Sequence, residues 1–154
     1  MGVKSIINPE PSSTTAPPIF IADDEPDDLF LIEHRLRKLG LKNPLVVFHD
    51  GAEVIAILEK IAIQERPKPC LLLLDLNMPL VDGLDVIQWL KDRPEFKALP
   101  VAVITSSNRA SDRERVAEAG VTDFLEKFPP EEDLARVVAW ASNHPFSAEP
   151  TDGK

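Results

Sequence analysis

The chain has 154 residues, 44% of them hydrophobic and 28% charged, the balance of one ordinary globular domain. A net charge of −9 argues against nucleic acid as a partner, since phosphate backbones are held by Lys and Arg patches, and against docking on anionic membranes. No apolar stretch approaches the length of a membrane span, and the single cysteine, Cys70, allows no disulfide framework within the chain and fits a reducing cytoplasm.

Residues 1–18 hold Pro9, Pro11, Pro17 and Pro18 around Ser12, Ser13, Thr14 and Thr15, a composition that reads as a flexible arm. Met1-Gly2 invites a myristoylation reading, but Ile6 stands where that motif needs Ser or Thr. A first strand is predicted at about 19–23. Pro26 then opens a helix with Leu29, Ile32, Leu36 and Leu39 on one face, and Gly40 stops it. Asp27 and Asp28 are read as complements to that helix's dipole.

A second strand at about 45–48 leads to the turn pair Asp50-Gly51 and a helix striped by Val54, Ile55, Leu58 and Ile61. The stretch around Pro67 and Pro69 breaks that helix. The third strand, about 70–75, is apolar without alternation, as a strand covered on both faces should be. It opens on Cys70, read as a buried core thiol.

Leu84, Ile87 and Leu90 mark the third helix. A strand at about 101–105, a helix ending near Gly120, a strand at about 123–127 and a helix striped by Leu134, Val137, Val138 and Ala141 complete the pattern. Residues 147–154 read as a disordered tail. Five βα units suit a three-layer, doubly wound α/β sandwich around a parallel sheet, in a domain over 19–146.

The ends of the apolar runs are the informative part. IFIA runs into Asp23 and Asp24, CLLLL into Asp75, VAVI into Thr105 and DFLE into Lys127. In a parallel sheet these carboxyl ends share one edge, where open α/β sheets place their chemistry. Solvated strand ends explain one such acid, not this ordered set. Two carboxylates about 4 Å apart repel by roughly 4 kcal/mol at an effective dielectric near 20, so a counter-cation is required. Hard oxygens suit Mg²⁺, and Lys127 adds a compact positive charge. The set reads as a site for a divalent cation and a phosphoryl group.

IFIADDEPDD, LLLLDLNMPLVDG, VAVITSS and DFLEK, in that order, resemble the receiver domain of two-component response regulators across nearly all of residues 19–143. The likeness is to single-domain receivers of the chemotaxis type and those serving bacterial phytochrome kinases. The long second helix with its Pro-rich exit and the segment DRPEFKALP lean towards the latter. The resemblance implies a flavodoxin-like strand order 2-1-3-4-5. It implies that Asp75 accepts a phosphoryl group from a kinase histidine, that Mg²⁺ or Mn²⁺ is bound by Asp24 and Asp75 with the Asn77 backbone carbonyl, and that Asp23 acts partly through a bound water. Lys127 neutralises the phosphoryl charge. Thr105 donates its hydroxyl to the phosphate and, with Phe124, forms the switch, while Asn77 and Ser107 tune the lifetime of the acyl phosphate. The implied partners are a sensor histidine kinase of the phytochrome kind, a downstream protein or phosphotransfer partner, and a second copy in a homodimer.

Two positions depart from the pattern. Phe128 follows Lys127 where receivers have Pro, often with a cis bond; cis before a non-proline costs about 2.5–4 kcal/mol, which leaves the bond's geometry open. Phe124 stands where many members carry Tyr. His34, His49 and His144 form no motif and read as surface or structural residues. Trp140 falls off the last helix's apolar stripe and, with Phe128 and Phe146, is a candidate partner surface. The rival reading is a Mg²⁺-dependent phosphohydrolase of the haloacid-dehalogenase type. It needs a second Asp two residues after the nucleophile and then Thr, where this chain has Asn77 and Pro79. A flavin carrier would need a phosphate-binding loop after the first strand, where acids stand instead.

Overall fold

The computed structural model of the chain describes residues 16–63, 68–107, 109–121 and 123–146. Among them five strands alternate with five helices: β1 (Ile19–Ala22), α1 (Pro26–Lys38), β2 (Leu45–Phe48), α2 (Gly51–Ala62), β3 (Leu71–Leu74), α3 (Gly83–Lys91), β4 (Val101–Thr105), α4 (Ala110–Glu118), β5 (Asp123–Glu126) and α5 (Glu131–Ser142). The strands form one sheet in the order β2-β1-β3-β4-β5, every pair parallel. This is the flavodoxin-like order that the sequence resemblance implies.

The apolar runs do not alternate because each serves two cores. Phe20, Ala22, Leu72, Leu74, Val101 and Val103 pack with Val54, Leu58, Ile61, Val86, Ile87, Leu90 and Val116 from α2, α3 and α4. Their strand neighbours Ile19, Ile21, Leu71, Leu73, Ala102 and Ile104 face the other way, onto Leu29, Ile32, Leu36, Leu134, Val137 and Ala141 of α1 and α5. Side chains alternate across a strand, so a sheet covered on both faces requires apolar residues at every position. Burying each such Leu or Ile contributes about 1.5–3 kcal/mol.

Registry sets the edge that matters. Ala22 pairs with Phe48 and Leu74, and Leu74 with Val103, so β1 and β3 end level. Asp23 and Asp75 lie one residue past their strands, not inside them as the sequence reading drew it. The reason is local: Glu25 N–H donates to Asp23 Oδ1 at 2.9 Å and Asn77 N–H to Asp75 Oδ1 at 3.2 Å. A carboxylate that accepts the backbone N–H two residues on turns the chain out of the ladder.

Asp50-Gly51, expected as a turn, instead opens α2. Asp50 is the N-cap and accepts from Glu53 N–H at 2.9 Å, and an aspartate caps a helix as readily as it makes a turn. Asp82 and Asp85 form a reciprocal capping box at α3, with bonds of 2.9 and 3.1 Å. Asp82→Ala is expected to lower stability by about 1 kcal/mol, measured as a denaturant midpoint. Gly40 takes a φ of 86° after α1, as a left-handed helix stop does.

Cys70 is half-buried rather than fully buried, with burial pushing its thiol pKa up. It lies one residue before β3 rather than opening it, at the amino end of the sheet, where Asn43 Nδ2 and the Pro17 carbonyl lie within 3.9 Å of its sulfur. Most of the expected N-terminal arm, the whole of the expected tail and Pro67 lie outside the described residues; of the arm, the Pro18 carbonyl accepts from Cys70 N–H at 2.9 Å. Phe146 stacks on Phe96 at 6.0 Å and packs against the core. Trp140, 38% exposed, lies flat against His144 with ring centroids 3.9 Å apart.

Candidate functional site at the carboxyl edge of the sheet

Among the described residues, the buried polar side chains are Asp23, Asp75 and Thr105, all at the carboxyl ends of neighbouring strands. Asp23, Asp24 and Asp75 each bring a carboxylate oxygen within 4.8 Å of the others. Lys127 enters from the end of β5. Its backbone N–H donates to the Thr105 carbonyl at 3.0 Å, which ties β5 to β4, and its side chain is 6% exposed. Nζ lies 2.7 Å from Asp23 Oδ2, 2.7 Å from Asp28 Oδ2 and 3.1 Å from Asp75 Oδ2.

These contacts are not equivalent. Lys127 donates aligned hydrogen bonds to Asp28 and Asp75. Its approach to Asp23 is a contact of charges without that alignment, and it leaves the buried Asp23 Oδ2 with no hydrogen-bond donor. Burial raises the Asp23 pKa above its ordinary value. The Lys127 ammonium and the Glu25 N–H oppose that rise, and the Asp75 charge adds to it. For Lys127, burial works to lower the pKa, but the carboxylates of Asp23, Asp28 and Asp75 overcome it and hold the ammonium well above the usual lysine range.

Four carboxylates face one ammonium here, and one buried carboxylate oxygen lacks a donor. That donor set fits a hard divalent cation such as Mg²⁺ or Mn²⁺. Asn77 stands at the mouth with its side chain exposed and its N–H on Asp75.

The other expected site residues lie beside this cluster. Thr105 Oγ1 accepts from Ser107 N–H at 3.3 Å, and the Ser107 hydroxyl donates to Asp112 Oδ2 at 2.6 Å. Phe124 is half-buried, with the Arg113 guanidinium 4.5 Å above its ring. The Lys127–Phe128 bond, left open by the sequence, is cis. Phe128 is 39% exposed, Pro129 beyond it is buried, and Arg35 of α1 donates to the Pro129 carbonyl at 2.6 Å.

Sequence reasoning missed Asp28 as a site residue. Both Asp27 and Asp28 do lie in the first turn of α1, yet only Asp28 bonds Lys127. The available signal was an acid at the start of the helix that leaves β1; which of the two acids turns inward depends on the rotation of α1. Arg113 and Arg35 were likewise invisible as partners. A groove of about 430 Å³ between α3 and α4, lined by Leu90, Phe96 and Val101 among others, lies at the amino ends of the strands and has no part in this cluster.

The family model described as response regulator receiver domain matches residues 19–139. The chain belongs to the response regulator receiver family. This receiver is 32% identical over 130 residues to response regulator Rcp1 of Synechocystis, covering 82% of this chain and 88% of Rcp1. Among solved structures, the bacteriophytochrome response regulator AtBRR is 30% identical with a TM-score of 0.73, covering 90% of this chain and all of that one. The Mn²⁺-bound form of Rcp1 is 29% identical with a TM-score of 0.68, covering 88% and 97% of the two chains. The receiver also matches PrrA of Mycobacterium tuberculosis at 35% identity over 129 residues, 83% of this chain, but spans only about half (51%) of that longer regulator. Among the described residues, no helix is long and apolar enough to cross a membrane.

Proposed function

We propose that Asp75 of this receiver accepts a phosphoryl group from the histidine of a sensor kinase, with Mg²⁺ or Mn²⁺ held by Asp23, Asp24 and Asp75 and by the Asn77 backbone carbonyl. The observation that carries this reading is the setting of Asp75. It is 4% exposed, and its two oxygens are separately addressed, Oδ1 by Asn77 N–H and Oδ2 by Lys127 Nζ. A carboxylate fixed in this way is a positioned nucleophile. Its oxygen forms the new bond to phosphorus as the bond from phosphorus to the donor imidazole breaks, and the electron pair leaves with the imidazole nitrogen. Bound among the acids, the divalent ion would supply positive charge to the phosphoryl oxygens. Lys127, bonded to Asp75 Oδ2, neutralises a further part of that charge.

Thr105 and Phe124 form the switch in this reading. The Thr105 hydroxyl turns from the Ser107 loop to the new phosphate oxygens, and the half-buried Phe124 follows it; packed interiors favour a few discrete states over a continuum. Ser107, bonded to Asp112, and Asn77, at the mouth, stand where they can govern access of water to the acyl phosphate. The likeness to AtBRR, a bacteriophytochrome response regulator, supports a phytochrome-type histidine kinase as partner; a cytoplasmic setting, a homodimer and output through a second protein or onward transfer belong to the same proposal. Trp140 and Phe128 are exposed aromatics suited to such contacts. The hydrolase reading gains no support, since Asn77 and Pro79 occupy its required Asp and Thr positions.

Incubation with acetyl phosphate and Mg²⁺, followed by intact mass, tests the proposal. The wild-type chain is expected to gain one phosphoryl group. Asp75→Asn should reduce that adduct by at least about a hundredfold. An undiminished adduct in the variant, or rapid turnover of general phosphate esters, would sink it.

A further inference from the structure

We propose that Asp28 is a positioning residue for phosphoryl transfer, which fixes the Lys127 ammonium against the phosphoryl position beside Asp75. The inference rests on the receiver chemistry proposed above and adds to it a residue of α1. Lys127 reaches the site on a four-carbon stem whose free rotation amounts to about 2 kcal/mol of rotamer entropy. Its ammonium is a point charge with three donors and no preferred plane. Such a group neutralises a developing charge well only if something else holds it in place.

Asp28 meets that need. Its bond to Nζ, at 2.7 Å, is shorter than the 3.1 Å bond to Asp75. It lies outside the set of three carboxylates that share one metal-sized space, so its partner is the lysine alone. It is carried by the first turn of α1, where Pro26 occupies an early helical position and the helix dipole favours a carboxylate. The same helix also holds the backbone beyond the lysine, through Arg35 Nη1 and the Pro129 carbonyl at 2.6 Å. α1 therefore grips the Lys127 segment twice, once at the ammonium and once two residues downstream. Without Asp28, the ammonium keeps one aligned bond, to Asp75, and the unaligned 2.7 Å contact with Asp23 Oδ2, too little to hold its flexible stem in one place.

The experiment is a double-mutant cycle on the rate of adduct formation from saturating acetyl phosphate and Mg²⁺, comparing wild type, Asp28→Asn, Lys127→Ala and the double variant. Asp28→Asn is expected to slow the saturated rate about tenfold while the half-saturating acetyl phosphate concentration changes less than about twofold. In the Lys127→Ala background the same change should alter the rate less than about twofold, because Asp28 acts only through the lysine. Asp28→Glu, which keeps the charge one methylene further out, should recover part of the loss. Cooperative thermal unfolding of each variant shows that the fold is kept. Equal losses with and without Lys127, or no loss in Asp28→Asn, would overturn the inference while leaving an Asp75-dependent adduct and the receiver chemistry intact. A wild-type chain that takes no phosphoryl group would overturn both.

Discussion

Lys127→Ala is expected to destabilise the metal-free protein by about 3–5 kcal/mol at neutral pH, since it leaves buried charge without its partner. The acids it abandons are Asp23 and Asp75, 1% and 4% exposed, and the less buried Asp28. The loss should depend on pH with a definite sign. Burial already raises the Asp23 pKa above 3.8, so the folded state holds that proton more tightly than the unfolded one. The stabilisation from protonating Asp23 is fully present below 3.8 and is lost as pH rises through the folded value. Removing the ammonium, which opposes the rise, extends that window upward, so the variant's deficit should shrink on acidification towards about pH 4. Divalent cation should restore part of it, by about 2.7 kcal/mol when present at a hundred times its dissociation constant. Denaturant midpoints at two pH values, with and without Mg²⁺, provide the measurement. A midpoint unchanged at neutral pH would mean that Lys127 does not compensate these acids.

Gly83→Ala is expected to damage both stability and chemistry. Gly83 is the first residue of α3 and donates its N–H to the Leu76 carbonyl at 3.0 Å. A Cβ there would collide with the Asp75 carbonyl oxygen and stand 2.7 Å from Leu76 Cα. Both obstacles are backbone, so no side chain can rotate away, and either α3 or the end of β3 must move. Overpacking of this kind costs about 1–3 kcal/mol and sometimes more. Because the atoms displaced belong to Asp75 itself, the phosphorylation rate should fall by about tenfold to a hundredfold, the scale of a misplacement near 1 Å. Chemical denaturation and the acetyl phosphate assay read the two effects. Gly40 offers a contrast: nothing lies within 4 Å of its Cβ position, and only its φ of 86° resists substitution. A wild-type phosphorylation rate in Gly83→Ala would show that the helix yields and Asp75 stays in place.

The sequence alone determined the five strand–helix units, because apolar runs without alternation report burial on both faces and helical stripes report one. It also determined that Asp23, Asp24, Asp75, Thr105 and Lys127 share an edge, since parallel strands of one sheet end on the same side. Local spacing carries both conclusions. Only the tertiary structure decided which first-turn acid of α1 meets Lys127. Asp28 and Lys127 are 99 residues apart; the apolar stripe sets which face α1 turns to the sheet, but only the packed position of the helix over the end of β5 brings Asp28 to the ammonium. For the same reason, nothing in the sequence singles out Gly83, and its need to be glycine comes from the backbone of Asp75 and Leu76 lying against it. The cis bond at Lys127–Phe128 and the grip of Arg35 on Pro129 are likewise products of the folded neighbourhood. Residue types placed the reactive groups on one edge; long-range packing aimed them at one another.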